Sequence, residues 1–412
     1  MAEPRRRTYP VEHKLLLTAT LCLLALGAVM VFSATSATSA LAGGDGTGYL
    51  VKYLAYGAVG LLVMHVLSRH GLELAKKFTP ILLAVAFALL VAVKLPGIGI
   101  EVNGARRWIG VGPLTFQPSE VMKLAIVLYM AQLLAERPKR MQTVQGLISP
   151  MLIVVGVACL LIASQPDLGT ALVIGFTTGA LLLVAGVPMR VMGTLTGSAA
   201  VLIMIFAILE PYRRARLTSF LDPWADAAGA GFQSVQGQIA LGSGGLFGLG
   251  PGQSVQKIFY LPEAHTDFIL AVIGEELGVI GICALLALYG LIAYAGLRAA
   301  KGARSQYERL LAAGLTSLIV CQALLNTFTV LGLAPLTGVP LPFVSNGSTS
   351  ITVLLASMGL LLNIASRGAL QLQAVAPPKK TQGSRPHADR DRSGRDSGAR
   401  GARAGGRRRA AG

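Results

Sequence analysis

The sequence is short of charge. Asp, Glu, Lys and Arg make up only 13% of its 412 residues, against roughly 25% in ordinary soluble domains. So few charges cannot clothe a soluble protein of this length. Hydrophobic residues at 53% exclude disorder for most of the chain. Cysteine is scarce as well. Cys22, Cys159, Cys283 and Cys321 each stand alone in an apolar run, with no CxxC or Cys/His pair. That excludes a disulfide framework or a cysteine-held metal, and the four read as small core residues. Walker, dinucleotide-binding and HExxH motifs are missing, which argues against ATP-driven transport by this chain alone.

What the chain has is length of apolar sequence. Mean hydropathy is +0.63, and the class that remains is an all-α polytopic membrane protein. Apolar runs fall at about 15–32, 50–67, 78–94, 120–135, 147–163, 168–187, 191–209, 267–297, 310–333 and 348–366, which predicts about ten spans. The first follows Arg5-Arg6-Arg7 but is too long for a signal-peptide core, so it reads as a retained helix. The run at 267–297 is too long for one upright span, so its helix is expected to tilt or project. Lys and Arg alternate between loops in a pattern that puts both termini in the cytoplasm. The other side then carries two substantial loops, at about 95–119 and 210–266. They hold Trp108 and Trp224, residues suited to a membrane–water boundary.

The net charge of +17 divides unevenly. Residues 377–412 hold eleven Lys/Arg and three Asp, so +8 lies in a Gly/Arg/Ser-rich tail without periodicity. The predicted organisation is a basic arm at 1–13, a membrane domain at 14–370 and a disordered basic cytoplasmic tail at 371–412. The tail suits anionic lipid or an acidic partner, or serves only solubility. The remaining +9 suits cytoplasmic loops and does not require nucleic acid.

Polar residues near membrane depth are the default site candidates, and they cluster on the outer side. Asn103–Ile109 is followed by Phe116–Lys123, in which Glu120 and Lys123 share a helix face. They are either functional or a local ion pair anchoring the fourth span. Asp167, in Gln165-Pro166-Asp167, reads as a helix cap. Tyr260–Ile269 contains Asp267 where a large polar loop re-enters the membrane. A carboxylate there can have a raised pKa and act as a general base, or can simply cap the helix. Glu275 and Glu276 lie inside the apolar run, one of them suited to pairing with Lys123 or an Arg. The Gly-rich stretch at 242–252 could cradle phosphate through its N–H groups, without the spacing of a nucleotide motif. The basic residues in the outer loops, Arg213, Arg214 and Arg216 among them, could meet an anionic lipid headgroup such as a pyrophosphate, or could simply lie near the interface.

Four stretches carry a resemblance: NGARRWIGVGPLTFQPSEVMK (103–123), QPDLGT (165–170), GSGGLFGLG (242–250) and LPEAHTDFILAVIGEELG (261–278). Over about residues 10–370 the chain resembles the SEDS family (shape, elongation, division and sporulation), whose members include FtsW, RodA and SpoVE. The stretches at 222–226 and 255–268 look more like FtsW members. One departure is Ser345-Asn346-Gly347-Ser348-Thr349-Ser350, where the family has a SYGGSS-like sequence with an aromatic.

The resemblance implies a ten-span peptidoglycan glycosyltransferase that polymerises lipid II on the outer face of the cytoplasmic membrane during septal synthesis. The implied partners are a class B penicillin-binding protein (an FtsI-like transpeptidase) and other division proteins. It implies Asp267 as the essential acid, and substrate-binding roles for Arg107, Glu120, Lys123, His265 and Ser345. An inverting displacement of undecaprenyl diphosphate fits an α-linked donor and a β-linked product. Arg107, Lys123 or a divalent cation (Mg or Mn) would stabilise the leaving group, with Asp267 and Glu120 the candidate metal ligands. A lipid II flippase, a RodA-like elongation polymerase and a non-catalytic scaffold are the competing expectations.

Overall fold

The computed structural model describes residues 9–41, 47–102, 104–111, 114–138, 143–209, 211–258 and 261–375. Most of the expected basic arm and tail therefore lies outside the described residues. Along the chain run α1 (Val11–Leu41), α2 (Gly48–Ala92), β1 (Gly99–Val102), β2 (Ala105–Val111), β3 (Leu114–Phe116) and α3 (Pro118–Glu136). Then come α4 (Val144–Leu147), joined through a kink at Ser149 (φ −110°, ψ 124°) to α5 (Ile153–Ala163), and α6 (Leu168–Ala185), α7 (Met189–Leu209) and α8 (Pro211–Leu221). The series ends with α9 (Phe232–Gly244), α10 (Ile269–Lys301), α11 (Gln306–Val330) and α12 (Ser348–Val375).

Eight helical stretches among the described residues are long and apolar enough to cross a membrane, and Met189–Ile205 in α7 is a shorter apolar helix. The chain is a multi-pass membrane protein. Two of the ten expected runs fall within α2, whose 45 residues would stretch about 67 Å if straight. Its contacts show that it is not straight. Tyr56 bonds Thr115, and the Leu90 carbonyl accepts from Gln165, both near the start of α3. Between them, Leu67 and Ser68 accept from Asn363, and Lys76 lies over the Tyr307 ring, all at the opposite end of the bundle. The segment therefore crosses, reverses between about Ser68 and Lys76, and crosses back.

α10 resolves differently from expectation. Gly278 is left-handed (φ 66°, ψ −167°) and breaks the helix. Residues 279–301 then make a span about 35 Å long, and residues 269–277 form a separate buried segment on the Asp267 side. Glycine is required at the break: a Cβ on Gly278 would lie 2.4 Å from the Leu246 carbonyl oxygen. The two Glu side chains beside the break are buried, but neither is bonded to Lys123 or an Arg as expected. Glu276 pairs with Lys257 at 2.7 Å and accepts from Ser33. Glu275 accepts from Ser254 and from the Val255 and Gln256 N–H groups. The Gly-rich stretch supports the same break. Leu249 and Gly250 N–H groups donate to the Glu275 and Glu276 carbonyls, and the Gly245 and Leu246 carbonyls accept from Val279 and Ile280. The Leu249 and Gly250 N–H groups are thus spent on protein and are not free to cradle a phosphate.

The core forms where α11 and α12 pass among the other helices. Their apolar windows are 78% and 89% buried, against 17% for α2. Cys22 and Cys283 lie exposed rather than in the core, a correction for two of the four thiols. The loop expected at 95–119 adds a small antiparallel sheet in the order β1-β2-β3, pairing Ile100 with Trp108 and Ile109 with Phe116.

Candidate active site

The connection between α11 and α12, residues 331–347, is irregular, buried in large part, and threaded among helices. Backbone of this kind survives at membrane depth only when protein groups satisfy it. Pro335, Pro340 and Pro342 bring carbonyls without N–H groups, so the segment chiefly needs donors. Thr329, Gln322 and Asn326 of α11 supply bonds to the carbonyls of Pro335, Pro340 and Val339. Arg216 of α8 bonds Leu336, Tyr289 of α10 bonds Pro342, and Tyr53 of α2 bonds Phe343. Gly169 at the start of α6 comes so close that a Cβ would lie 2.4 Å from the Thr337 oxygen.

Asp267 stands against this segment, just before α10. It does not cap that helix: Phe268 occupies the N-cap position and makes no side-chain cap bond. Its carbonyl accepts from Asn326 Nδ2 at 2.7 Å. Thr266 Oγ1 donates to Glu263 at 2.7 Å and lies 3.3 Å from Asp267 Oδ1. Glu263 is itself held in a left-handed conformation (φ 55°), a strained state for a residue with a Cβ. Burial first, and then the Glu263 charge, push the Asp267 carboxyl up to about 7. Hydrogen bonds to its own backbone and from Thr266, with the Arg216 charge, oppose the rise. His265, two residues earlier, has its pKa lowered by burial. Its ring packs against Tyr49 with centroids 4.8 Å apart, and its carbonyl accepts from Asn346.

Glu120 and Lys123 form an ion pair at 2.8 Å, and both are about 1% exposed. The Lys123 ammonium also donates to Gln322 Oε1 at 2.7 Å. Arg107, half-buried on β2, donates to the carbonyls of Gln165 and Pro166 and so ties the sheet to the turn between α5 and α6. Asp167 caps α6 through the Thr170 N–H, as expected, and also accepts from Gln117 and Ser119. Ser345 is buried and its Oγ accepts from the Leu341 N–H inside the re-entrant segment. The structure thus gathers Asp267, His265 and Ser345 around one connection. Lys123 and Glu120 reach the same connection through Gln322, and Arg107 lies apart on the sheet.

A divalent cation shared by Asp267 and Glu120 does not suit this donor set. The Lys123 ammonium already sits on Glu120, and the described residues gather no cluster of three or more His, Cys, Asp or Glu side chains. Sequence reading missed Asn326, Gln322, Glu263 and Lys257. A polar residue in an otherwise apolar span is a usable signal for the first two. The last two lie in the stretches at 255–268 and 261–278 that carry the resemblance, but no role was assigned to either.

The family model for cell cycle proteins of the FtsW/RodA/SpoVE type matches residues 13–369. The chain belongs to this family. Relatives include stage V sporulation protein E of Bacillus subtilis, 40% identical over 85% of this chain and 96% of that protein. The probable peptidoglycan glycosyltransferase FtsW of Coxiella burnetii is 42% identical over 84% of this chain and 94% of that one. A solved structure described as a peptidoglycan synthase complex that coordinates polymerization and crosslinking aligns with TM-score 0.68 and 28% identity, covering 86% of this chain and 97% of the other. The rod shape determining protein RodA of Thermus thermophilus aligns with TM-score 0.61 at 28% identity, over 88% of this chain and 98% of that one.

Proposed function

We propose that this chain is a peptidoglycan glycosyltransferase that polymerises lipid II at the outer face of the cytoplasmic membrane. The family's named glycosyltransferases support the enzyme class. The feature that carries the chemistry is the place of Asp267: a carboxyl just before α10, against the connection between α11 and α12, where burial and the Glu263 charge push its pKa up to about 7. Such a group accepts a proton from a sugar hydroxyl at neutral pH.

In the proposed step the acceptor 4-hydroxyl attacks the anomeric carbon of the donor sugar. Asp267 takes the hydroxyl proton, the new C–O bond forms with inversion, and the bond to the diphosphate breaks. Undecaprenyl diphosphate leaves with its electron pair. A positioned base contributes about 10²–10⁴-fold. Of the expected substrate-binding set, half-buried Arg107 and His265 would meet the lipid headgroup, Arg107 from the sheet and His265 from beside Asp267. Arg107 suits the leaving diphosphate, where negative charge grows. Buried Glu120, Lys123 and Ser345 would serve from behind, by holding the walls.

The likeness to a peptidoglycan synthase complex supports a cross-linking partner, which we take to be a class B penicillin-binding protein. The Lys/Arg pattern supports cytoplasmic termini, and the FtsW relatives support work at the septum. The test uses full-length protein in lipid II proteoliposomes with that partner present and its transpeptidase blocked. Glycan ladders that vanish with Asp267→Asn are the expected result. Ladders unchanged by Asp267→Asn would remove the base assignment, and lipid II crossing leaflets without ladders would make the chain a flippase.

A further inference from the structure

Asn326 is 1% exposed near the C-terminal end of α11. Its amide has two N–H groups, and both are used. One donates to the Asp267 carbonyl at 2.7 Å, the other to the Val339 carbonyl at 2.8 Å. One helical turn earlier lies Gln322, with no exposed surface. It accepts from Lys123 at 2.7 Å and donates to Pro340 at 2.9 Å. Residues four apart share a helix face. The two amides therefore bind consecutive carbonyls, 339 and 340, of the re-entrant segment from one side of α11.

The stitch links two places that are far apart in sequence. From Asp267 it runs through Asn326 to the Val339 carbonyl. From the Pro340 carbonyl it runs through Gln322 to Lys123 and on to Glu120. Asn326 Oδ1 and Glu120 Oε2 are both buried without a partner among the described residues. Leaving such atoms unmet costs about 1–3 kcal/mol each. For Asn326, Leu would fill similar space without that cost. The amide is explained by what its N–H groups hold.

We infer that Asn326 is the positioning residue for Asp267: its amide clamps the backbone of that residue to the Val339 carbonyl and so fixes where the carboxylate stands. This rests on Asp267 being the base. Gln322 extends the clamp, so Glu120 and Lys123 influence the reaction through the re-entrant segment, without touching substrate.

The test compares full-length wild type, Asp267→Asn, Asn326→Ser and Asn326→Leu in lipid II proteoliposomes with the partner present. Each is measured per folded molecule, with kcat, KM and the pH profile. Asn326→Ser keeps one donor and Asn326→Leu keeps none. A displacement of about 1 Å can cost on the order of 100-fold. Expected is a kcat loss graded from Ser to Leu and reaching about that size, with KM little changed. The pH limb should move as well, because Asp267 then sits differently against Glu263 and Arg216. A merely structural role would lower yield and thermal stability while kcat per folded molecule and the pH limb stayed put, and that result overturns the inference. So does failure of both Asn326 variants to fold, which would make the amide a general folding element. Activity retained in Asp267→Asn would instead remove the base assignment itself, whatever Asn326 does.

Discussion

The Lys257 ammonium lies 2.7 Å from the Glu276 carboxylate, and both side chains are almost fully buried. The pair fastens the segment before Asp267 to the broken end of α10, and Ser33 of α1 joins it at 3.0 Å. Removing one member leaves an uncompensated buried charge, at a cost of about 3–5 kcal/mol. Lys257→Met should therefore lower the unfolding temperature markedly and open residues 251–258 to protease. Lys257→Met combined with Glu276→Gln should recover much of that loss. Thermal unfolding in detergent reads both, and a single variant as stable as wild type would show the pair to be idle.

A pH limb is the second expectation. Asp267 accepts a proton only when ionised, and its pKa lies near 7. Rate should fall about tenfold per unit below that value and level off above it. Glu263→Gln removes a like charge, lowers the Asp267 pKa and moves the limb to lower pH. Stability has the opposite slope. The folded chain keeps a proton that the unfolded chain releases near 3.8, so this group's contribution declines as pH rises from roughly 4 to 7. A rate profile flat between pH 5 and 8 would contradict the first statement.

Arg107 offers a test of headgroup contact. Charge-assisted hydrogen bonds are worth about 1.5–3 kcal/mol, which converts to a tenfold to hundredfold loss of kcat/KM for Arg107→Ala. Arg107→Lys keeps the charge but loses the fork and should recover only part. If lipid II titrations give wild-type kcat/KM for both, Arg107 does no more than tie the hairpin to Gln165 and Pro166.

Gly278→Ala places a Cβ 2.5 Å from the Gly248 nitrogen at a left-handed φ. Backbone strain alone costs about 1–3 kcal/mol, and the clash adds to it. Reduced thermal stability and faster cleavage within 245–258 are expected. Gly290→Ala, in open space on the same helix, is the control and should be neutral or slightly stabilising. Equal behaviour of the two variants would mean the break is not fixed by Gly278.

The spans were legible because each is a local property: a run of apolar residues long enough for a membrane. The Asp167 cap was legible for the same reason, being a carboxylate directly before a helix. Asp267 could be singled out from its place at a re-entry point. Its surroundings could not. Asn326 reaches Asp267 across 59 residues, and Tyr53 reaches Phe343 across 290. No periodicity encodes such pairs. The Gly-rich stretch shows the converse. Its composition suited an anion, but its N–H groups meet the carbonyls freed where α10 breaks, a break visible only as the dihedral angle of Gly278.

The re-entrant segment also sets an order of assembly. Its carbonyls are claimed by α2, α8, α10 and α11, and it precedes only α12 in the chain. While the protein is being inserted, residues 335–343 emerge after every helix that will bond them. They can leave water only once those helices have gathered. Its carbonyls need those donors before they can be buried, so its entry follows theirs. A nascent chain arrested within α11 would hold the earlier helices in the bilayer and still lack the wall against which Asp267 stands.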